Sequence, residues 1–244
     1  MQGSKWWGSG VGEDLSVGVI VPYDFALDRE IWRWTPDDMT LLITRTHQLG
    51  LPSNVAMATH ISTDETLREL TDDLLAVEPE VVLYLCTSGS FVRGVAGERH
   101  MREVMCAAGA PLALTTAGAL LDALRHLGIR RLGVATPYIA SVTERLVTFL
   151  TEADVTVTSS RGLGLTHHIW RVPPTELRTL VLAADDPDAD AVFVSCTNLK
   201  MYDLIPSLEA ELGKPVLCAN QVSMWATLRA VGVTPPYNGQ RLFA

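Results

Sequence analysis

The sequence predicts an α/β fold of two pseudo-symmetric halves, each a four-stranded parallel sheet flanked by helices, with a candidate site at their interface. Three observations predict it. From Ser16 onward, apolar runs of four to seven residues alternate with longer amphipathic stretches, the pattern of parallel βα units. The chain repeats itself: Gly18-Val19-Ile20-Val21-Pro22-Tyr23 aligns with Gly133-Val134-Ala135-Thr136-Pro137-Tyr138, and Val82-Leu83-Tyr84-Leu85-Cys86-Thr87 with Val192-Phe193-Val194-Ser195-Cys196-Thr197. A third block, Pro111 through Gly128, aligns with Pro215 through Gly232. The three blocks keep their order and their offsets drift only by loop lengths, as expected of two homologous halves.

The elements follow in order. Residues 1–15 are rich in Gly, Ser and charge without apolar period and read as a flexible tail, despite Trp6 and Trp7. The GSGVG within it has no preceding strand to aim its glycines, so it is not read as a phosphate loop. SVGVIVP, TLLITR, EVVLYLC and APLALTT are the strand candidates of one half, and RLGVATP, VTVTSS, AVFVSC and KPVLCAN those of the other. Between them lie helical stretches such as 64–76, where Leu67, Leu70, Leu74 and Leu75 recur at three and four. The expected lobes are residues 16–115 plus 220–244, and 116–219.

Composition narrows the function. Of the 244 residues 48% are hydrophobic and 19% charged, which fits a globular chain and excludes disordered or collagen-like classes. A formal net charge of −9 without a Lys/Arg cluster argues against nucleic acid or an anionic membrane surface as partner. A small carboxylate is the expected partner, with a homo-oligomer possible. The absence of a long apolar run or an apolar leader reads as a cytoplasmic location. The four cysteines, Cys86, Cys106, Cys196 and Cys218, form no CxxC pair, so neither a zinc site nor a disulfide scaffold is expected. The expected cofactor list is none.

Ligands of open parallel sheets bind outside the carboxyl ends of the strands, where Cys86 and Cys196 both fall. Each ends the third strand of its half and opens a small polar turn, Thr87-Ser88-Gly89-Ser90 or Thr197-Asn198, expected to lead into a helix. Backbone N–H groups of such turns can hold a carboxylate and lower a thiol pKa. Packing about a pseudo-two-fold axis would bring the two thiols into one cleft. A cysteine at a strand end is otherwise a small buried hydrophobe, the reading kept for Cys106 and Cys218. Arg45 ends the second strand within reach of a substrate carboxylate, though a surface role fits it too. Trp32, Trp34, Trp170 and Trp225 are assigned to packing.

These turns, with VATPY and GKPVLCANQVSMWATLRAVG, resemble the aspartate/glutamate racemase superfamily in its maleate isomerase and arylmalonate decarboxylase branch. VPYDFALDREIWRWTPDD, VLYLCTSGSFVRG and NQVSMWATLR resemble the ectoine-utilisation protein A group within it. The resemblance runs from about residue 16 to residue 232. It implies a cofactor-independent site with Cys86 and Cys196 as the catalytic pair. In racemases one thiolate removes a proton α to a carboxylate and the other thiol returns one. In isomerases one cysteine adds to a double bond and the other delivers a proton. Tyr138 matches a substrate-contacting tyrosine of the branch and Tyr23 is its counterpart in the first half, while His167, after GLGL, falls where the family supplies a ligand-facing polar residue. Thr87, Ser88, Thr197 and Asn198 complete the substrate-binding set. Maleate isomerases carry Ser-Ser-Asn after the proline of the first strand, whereas this chain has Tyr23-Asp24-Phe25, so their carboxylate-binding Asn is absent.

The expected function is therefore isomerisation or racemisation of a small carboxylate in ectoine catabolism. The alternatives are a decarboxylase using Cys196 alone as proton donor, and a ligand-binding protein without turnover.

Overall fold

The computed structural model describes residues 15–234 and 239–244. The first half runs β1 (Leu15–Val21), α1 (Asp28–Ile31), a 3-10 turn at Trp32–Trp34, β2 (Met39–Arg45), α2 (Val55–His60), α3 (Asp64–Leu75), β3 (Val81–Tyr84), α4 (Thr87–Phe91), α5 (Gly94–Ala107), β4 (Ala113–Thr115) and α6 (Thr116–Leu127). The second runs β5 (Arg131–Tyr138), α7 (Ala140–Glu152), β6 (Thr156–Leu165), a 3-10 turn at Ile169–Arg171, α8 (Pro174–Ala184), β7 (Ala191–Val194), α9 (Ile205–Leu212), β8 (Val216–Cys218) and α10 (Ala219–Ala230). A last 3-10 turn spans Arg241–Phe243. Each half is a parallel four-stranded sheet, and the strand orders, β2-β1-β3-β4 and β6-β5-β7-β8, are the same.

The repeat thus maps strand on strand, and packing explains part of it. A β-carbon at Gly18 would press on Leu74 of α3, and one at Gly133 would strike the Ala184 carbonyl at the end of α8. Each glycine lets a helix lie close on the central strand of its sheet. Successive residues of a strand face opposite sides, so Val17, Val19 and Val21 of β1 join a core continuous with β5 and β7, while Ile20 meets Leu67, Leu70 and Leu74 of α3 and Met101 and Met105 of α5 on the other side. In α3 the fourth buried position belongs to Thr71; Leu75 is half-buried.

Helix α10 is buried on all sides from Ala219 to Leu228. It leaves β8 of the second half and packs against α6, β3 and β4 of the first, with the Ser223 hydroxyl donating to that of Thr116 at 3.0 Å. A helix enclosed in this way needs no polar face.

Several boundaries differ from expectation. Leu15 already belongs to β1; the rest of the expected tail, residues 1–14, lies outside the described residues. APLALTT and KPVLCAN supply only three-residue strands, because Thr115 and Cys218 begin helices as their N-caps. β6 is longer than VTVTSS and takes in the GLGL segment, following the length of β5 along the sheet edge with two register shifts. Thr197-Asn198 does not lead directly into a helix, since α9 begins only at Ile205. Among the described residues no helix is long and apolar enough to cross a membrane.

Candidate active site

The carboxyl ends of β1, β3, β5 and β7 converge on a small cavity of about 30 Å³. Cys86, Thr87 and Ser88 line it from the first half, and Tyr138, Cys196, Thr197 and Asn198 from the second. The two cysteines of the repeat therefore share one cleft.

The first turn holds itself. Cys86, in extended backbone, caps α4, and the Ser90 hydroxyl is placed to donate to the carbonyls of Cys86 (2.7 Å) and Thr87 (2.9 Å). The same oxygen accepts the Ala117 N–H at 3.1 Å, tying the turn to α6. A β-carbon at Gly89 would collide with the Tyr84 hydroxyl, which donates to the Ile61 carbonyl beneath the turn. The Thr87 hydroxyl is buried, faces no protein partner and belongs to a residue of the cavity wall. Such a group is costly to leave unpaired.

The second turn is held from outside. Cys196 has a φ of 114°, a left-handed conformation that a side chain disfavours and that costs on the order of 1–3 kcal/mol. Its sulfur accepts the Asn198 N–H at 3.4 Å. The Thr197 carbonyl accepts from the Asn220 side-chain amide (2.9 Å), which also donates to Glu30 (2.8 Å). Glu30 is buried, and its other oxygen takes the N–H groups of Met201 (2.5 Å) and Tyr202 (2.8 Å). Burial raises the Glu30 pKa even though these donors oppose the rise.

The thiols are electrostatically quiet at rest. Burial pushes Cys86 from 9 up to about 11, against N–H donation from Gly89 and contacts with Ser88 and Tyr84. Burial likewise pushes Cys196 up to about 12, against the Asn198 N–H and the Tyr138 hydroxyl. The turn N–H groups do act to lower the thiol pKa values, but desolvation of a buried thiolate is larger and the net direction is upward. Tyr138 is itself buried, accepts weakly from Ser195 at 3.4 Å and packs edge-on against Phe91.

Three candidates from the sequence, Tyr23, His167 and Arg45, do not line the cavity. Tyr23 is half-buried and donates to the Leu51 carbonyl at 3.0 Å, bracing the loop after β2. His167 is exposed, and the left-handed His168 turns the chain so that Ile169 reaches the cavity instead. Asn198 lines the cavity with its amide already engaged, accepting from Ala26 N–H (2.9 Å) and donating to the Asp24 carbonyl (3.1 Å). Arg45 donates to the Phe25 carbonyl at 2.7 Å and stays outside the lining.

Asp24, Ser53, Asn54, Met57 and Val142 also line the cavity and were not among the candidates. Asp24 lies three residues beyond β1, a place the strand-end rule points to. Asn54 is the N-cap of α2, accepting from Met57 N–H at 2.9 Å, a role its residue type announces. Ser53 has no such signal: its N–H donates to the Thr166 carbonyl at 2.8 Å, joining the loop after β2 to the loop after β6 over the cavity.

The chain is similar to known proteins over most of its length. It is 37% identical over 156 residues to arylmalonate decarboxylase from Bordetella bronchiseptica, covering 62% of this chain and 65% of that protein. It is 30% identical over 162 residues to maleate isomerase from Nocardia farcinica, covering 63% and 64%. The matched region thus spans just under two thirds of the length of these relatives. Among solved structures, a double mutant of arylmalonate decarboxylase in the liganded form superposes with a TM-score of 0.86 at 30% identity, over 94% of this chain and 98% of the other. The family model described as arylmalonate decarboxylase matches residues 45–243. With that match over most of the chain, the protein belongs to the arylmalonate decarboxylase family.

Proposed function

We propose that this cleft carries out cofactor-independent isomerisation or racemisation of a small carboxylate, with Cys86 and Cys196 as the reacting pair. The observation that carries the reading is the placement of both thiols on one cavity, one from each half, beside the unpartnered Thr87 hydroxyl. Negative charge that builds on a substrate carboxylate during α-proton removal, or during thiolate addition to a conjugated alkene, needs donors already in place. The Thr87 hydroxyl and the turn N–H groups supply them. A proton removed on one face by one sulfur and delivered on the other by its opposite gives racemisation. Addition of one sulfur to an alkene, bond rotation and elimination gives isomerisation. The resemblance to the ectoine-utilisation protein A group supports a place in ectoine catabolism, and that role and a cytoplasmic location are part of the proposal.

The identity to arylmalonate decarboxylase favours a second reading, in which Cys196 alone protonates an enolate left by loss of carbon dioxide. Turnover, deuterium incorporation from solvent and intact protein mass separate the two. Cys86→Ser and Cys196→Ser should each lose about 100-fold or more under the two-thiol reading. Under the decarboxylase reading Cys86→Ser keeps most activity. A covalent adduct in one variant supports thiolate addition. Full activity in both variants rejects both readings and leaves a binding cleft.

A further inference from the structure

The cavity also contains a carboxyl group, and it bears on which substrate the cleft accepts. Asp24 lines the same small space as Cys86 and Cys196, and both thiols feel its negative charge. Its backbone is clamped on either side: Asn198 donates to the Asp24 carbonyl at 3.1 Å and accepts from the Ala26 N–H at 2.9 Å. The main chain that carries Asp24 is therefore tied to the turn that carries Cys196. No Lys, Arg or His appears among the described residues lining the cavity. The charge of Arg45 is felt at Asp24, but its guanidinium is committed to the Phe25 carbonyl outside the lining.

We propose that Asp24 is a specificity-determining residue that admits a zwitterion, with the substrate carboxylate at the Thr87 side and a cationic nitrogen at Asp24, and disfavours a dicarboxylate dianion. This rests on the reading of the cleft as the reaction site and narrows its substrate class. A dianion would add two negative charges to a low-dielectric space that already holds one and has no lining cation, whereas a zwitterion adds none in sum. A cationic nitrogen beside Asp24 has a second effect: it offsets the Asp24 charge, the lesser of the influences that hold both thiols protonated, burial being the larger.

Charge selectivity is measurable without knowing the substrate. The probes are two methanethiosulfonates with fixed opposite charges, 2-(trimethylammonium)ethyl and 2-sulfonatoethyl. In each case the thiolate attacks the sulfenyl sulfur, a disulfide forms, methanesulfinate leaves and the thiol proton passes to buffer. Rates are read at each cysteine by peptide mass near pH 9, with the exposed Cys106 as internal reference. In the wild type the cation-to-anion rate ratio at Cys86 and Cys196 should exceed that at Cys106 by about tenfold or more. Asp24→Asn should bring it to within about twofold of Cys106, while Asp24→Glu retains it. The ratio is insensitive to the rise in thiolate fraction that Asp24→Asn also causes, because both reagents gain alike.

A wild-type ratio equal to that of Cys106, or one unchanged in Asp24→Asn, overturns the proposal. So does labelling of Cys106 with neither reagent reaching the cleft. A missing ratio alongside thiol-dependent turnover sinks the Asp24 assignment alone. An Asp24-dependent ratio with turnover indifferent to both serine variants sinks the thiol reading and leaves charge selection as the property of a binding cleft.

Discussion

The Cys86 and Cys196 turns descend from one repeated unit and are held by different means. At Cys86 the backbone is extended and the neighbouring helix begins at once, with Ser90 four residues on closing the turn. At Cys196 the backbone is left-handed, no helix follows until Ile205, and the clamps come from Glu30, some 170 residues earlier, and from Asn220 on α10. The first turn is held within its own half, whereas the second is held by Glu30 of the first half and by Asn220 on α10. A repeat can preserve the position of a reacting atom while exchanging what holds it there.

The largest test of this difference is removal of each clamp. Glu30→Ala strands two backbone N–H groups and an amide in the interior, and should cost about 3 kcal/mol of stability, read from urea unfolding. Ser90→Ala, the corresponding cut in the first turn, should cost about 1 kcal/mol. Equal losses would erase the distinction between local and remote support.

The thiols should also differ with pH. Cys86 sits near 11 and Cys196 near 12 against 9 for a free thiol, so at pH 9 to 10 Cys86 should be alkylated up to about tenfold faster per unit of access. The sign for stability follows from both being raised: the fold keeps the proton longer than the unfolded chain does. Their contribution is complete below pH 9 and is lost as pH rises through about 11 and then about 12. Unfolding midpoints measured from pH 8 to 11 should fall less steeply in Cys86→Ser than in the wild type.

Backbone strain gives an opposition of sign. Going from Cys86→Ala to Cys86→Gly should destabilise by about 1 kcal/mol, as glycine does in extended backbone. The same step at Cys196 should stabilise by about 1 kcal/mol, because glycine accepts a φ of 114° that alanine resists. The smallest effect is expected from Tyr23→Phe, which frees the Leu51 carbonyl and the loop over the cavity. Faster hydrogen exchange at the Ser53 N–H, with a stability change within about 1 kcal/mol, is the expected result.

The shared features were legible in the sequence and the differing ones were not. Apolar runs and the Gly18/Gly133 register exposed two equivalent sheets, and the strand-end rule put Cys86, Cys196, Tyr138 and their turns in one place. That rule works because side-chain period and strand polarity are local. Glu30 reads as a solvated helix residue until Met201 and Tyr202 are known to lie against it, and nothing near position 196 announces a left-handed cysteine. Ser53 enters the cavity on a loop without period and Ile169 on a short 3-10 turn, and His167 is displaced by the turn at His168. The net rise of the thiol pKa values was hidden for a related reason. The N–H donors are visible in the turn sequence, but the degree of enclosure is a property of the whole assembly.

The enclosure of α10 has a consequence for how the molecule is made. This helix follows the last strand in chain order, yet it packs on α6, β3 and β4, which leave the ribosome more than a hundred residues earlier. The first sheet therefore waits during synthesis with the α10 binding surface open to solvent. On that account a nascent chain halted before residue 219 should display apolar surface to chaperones, and a growing chain should acquire protease resistance in one late step rather than half by half.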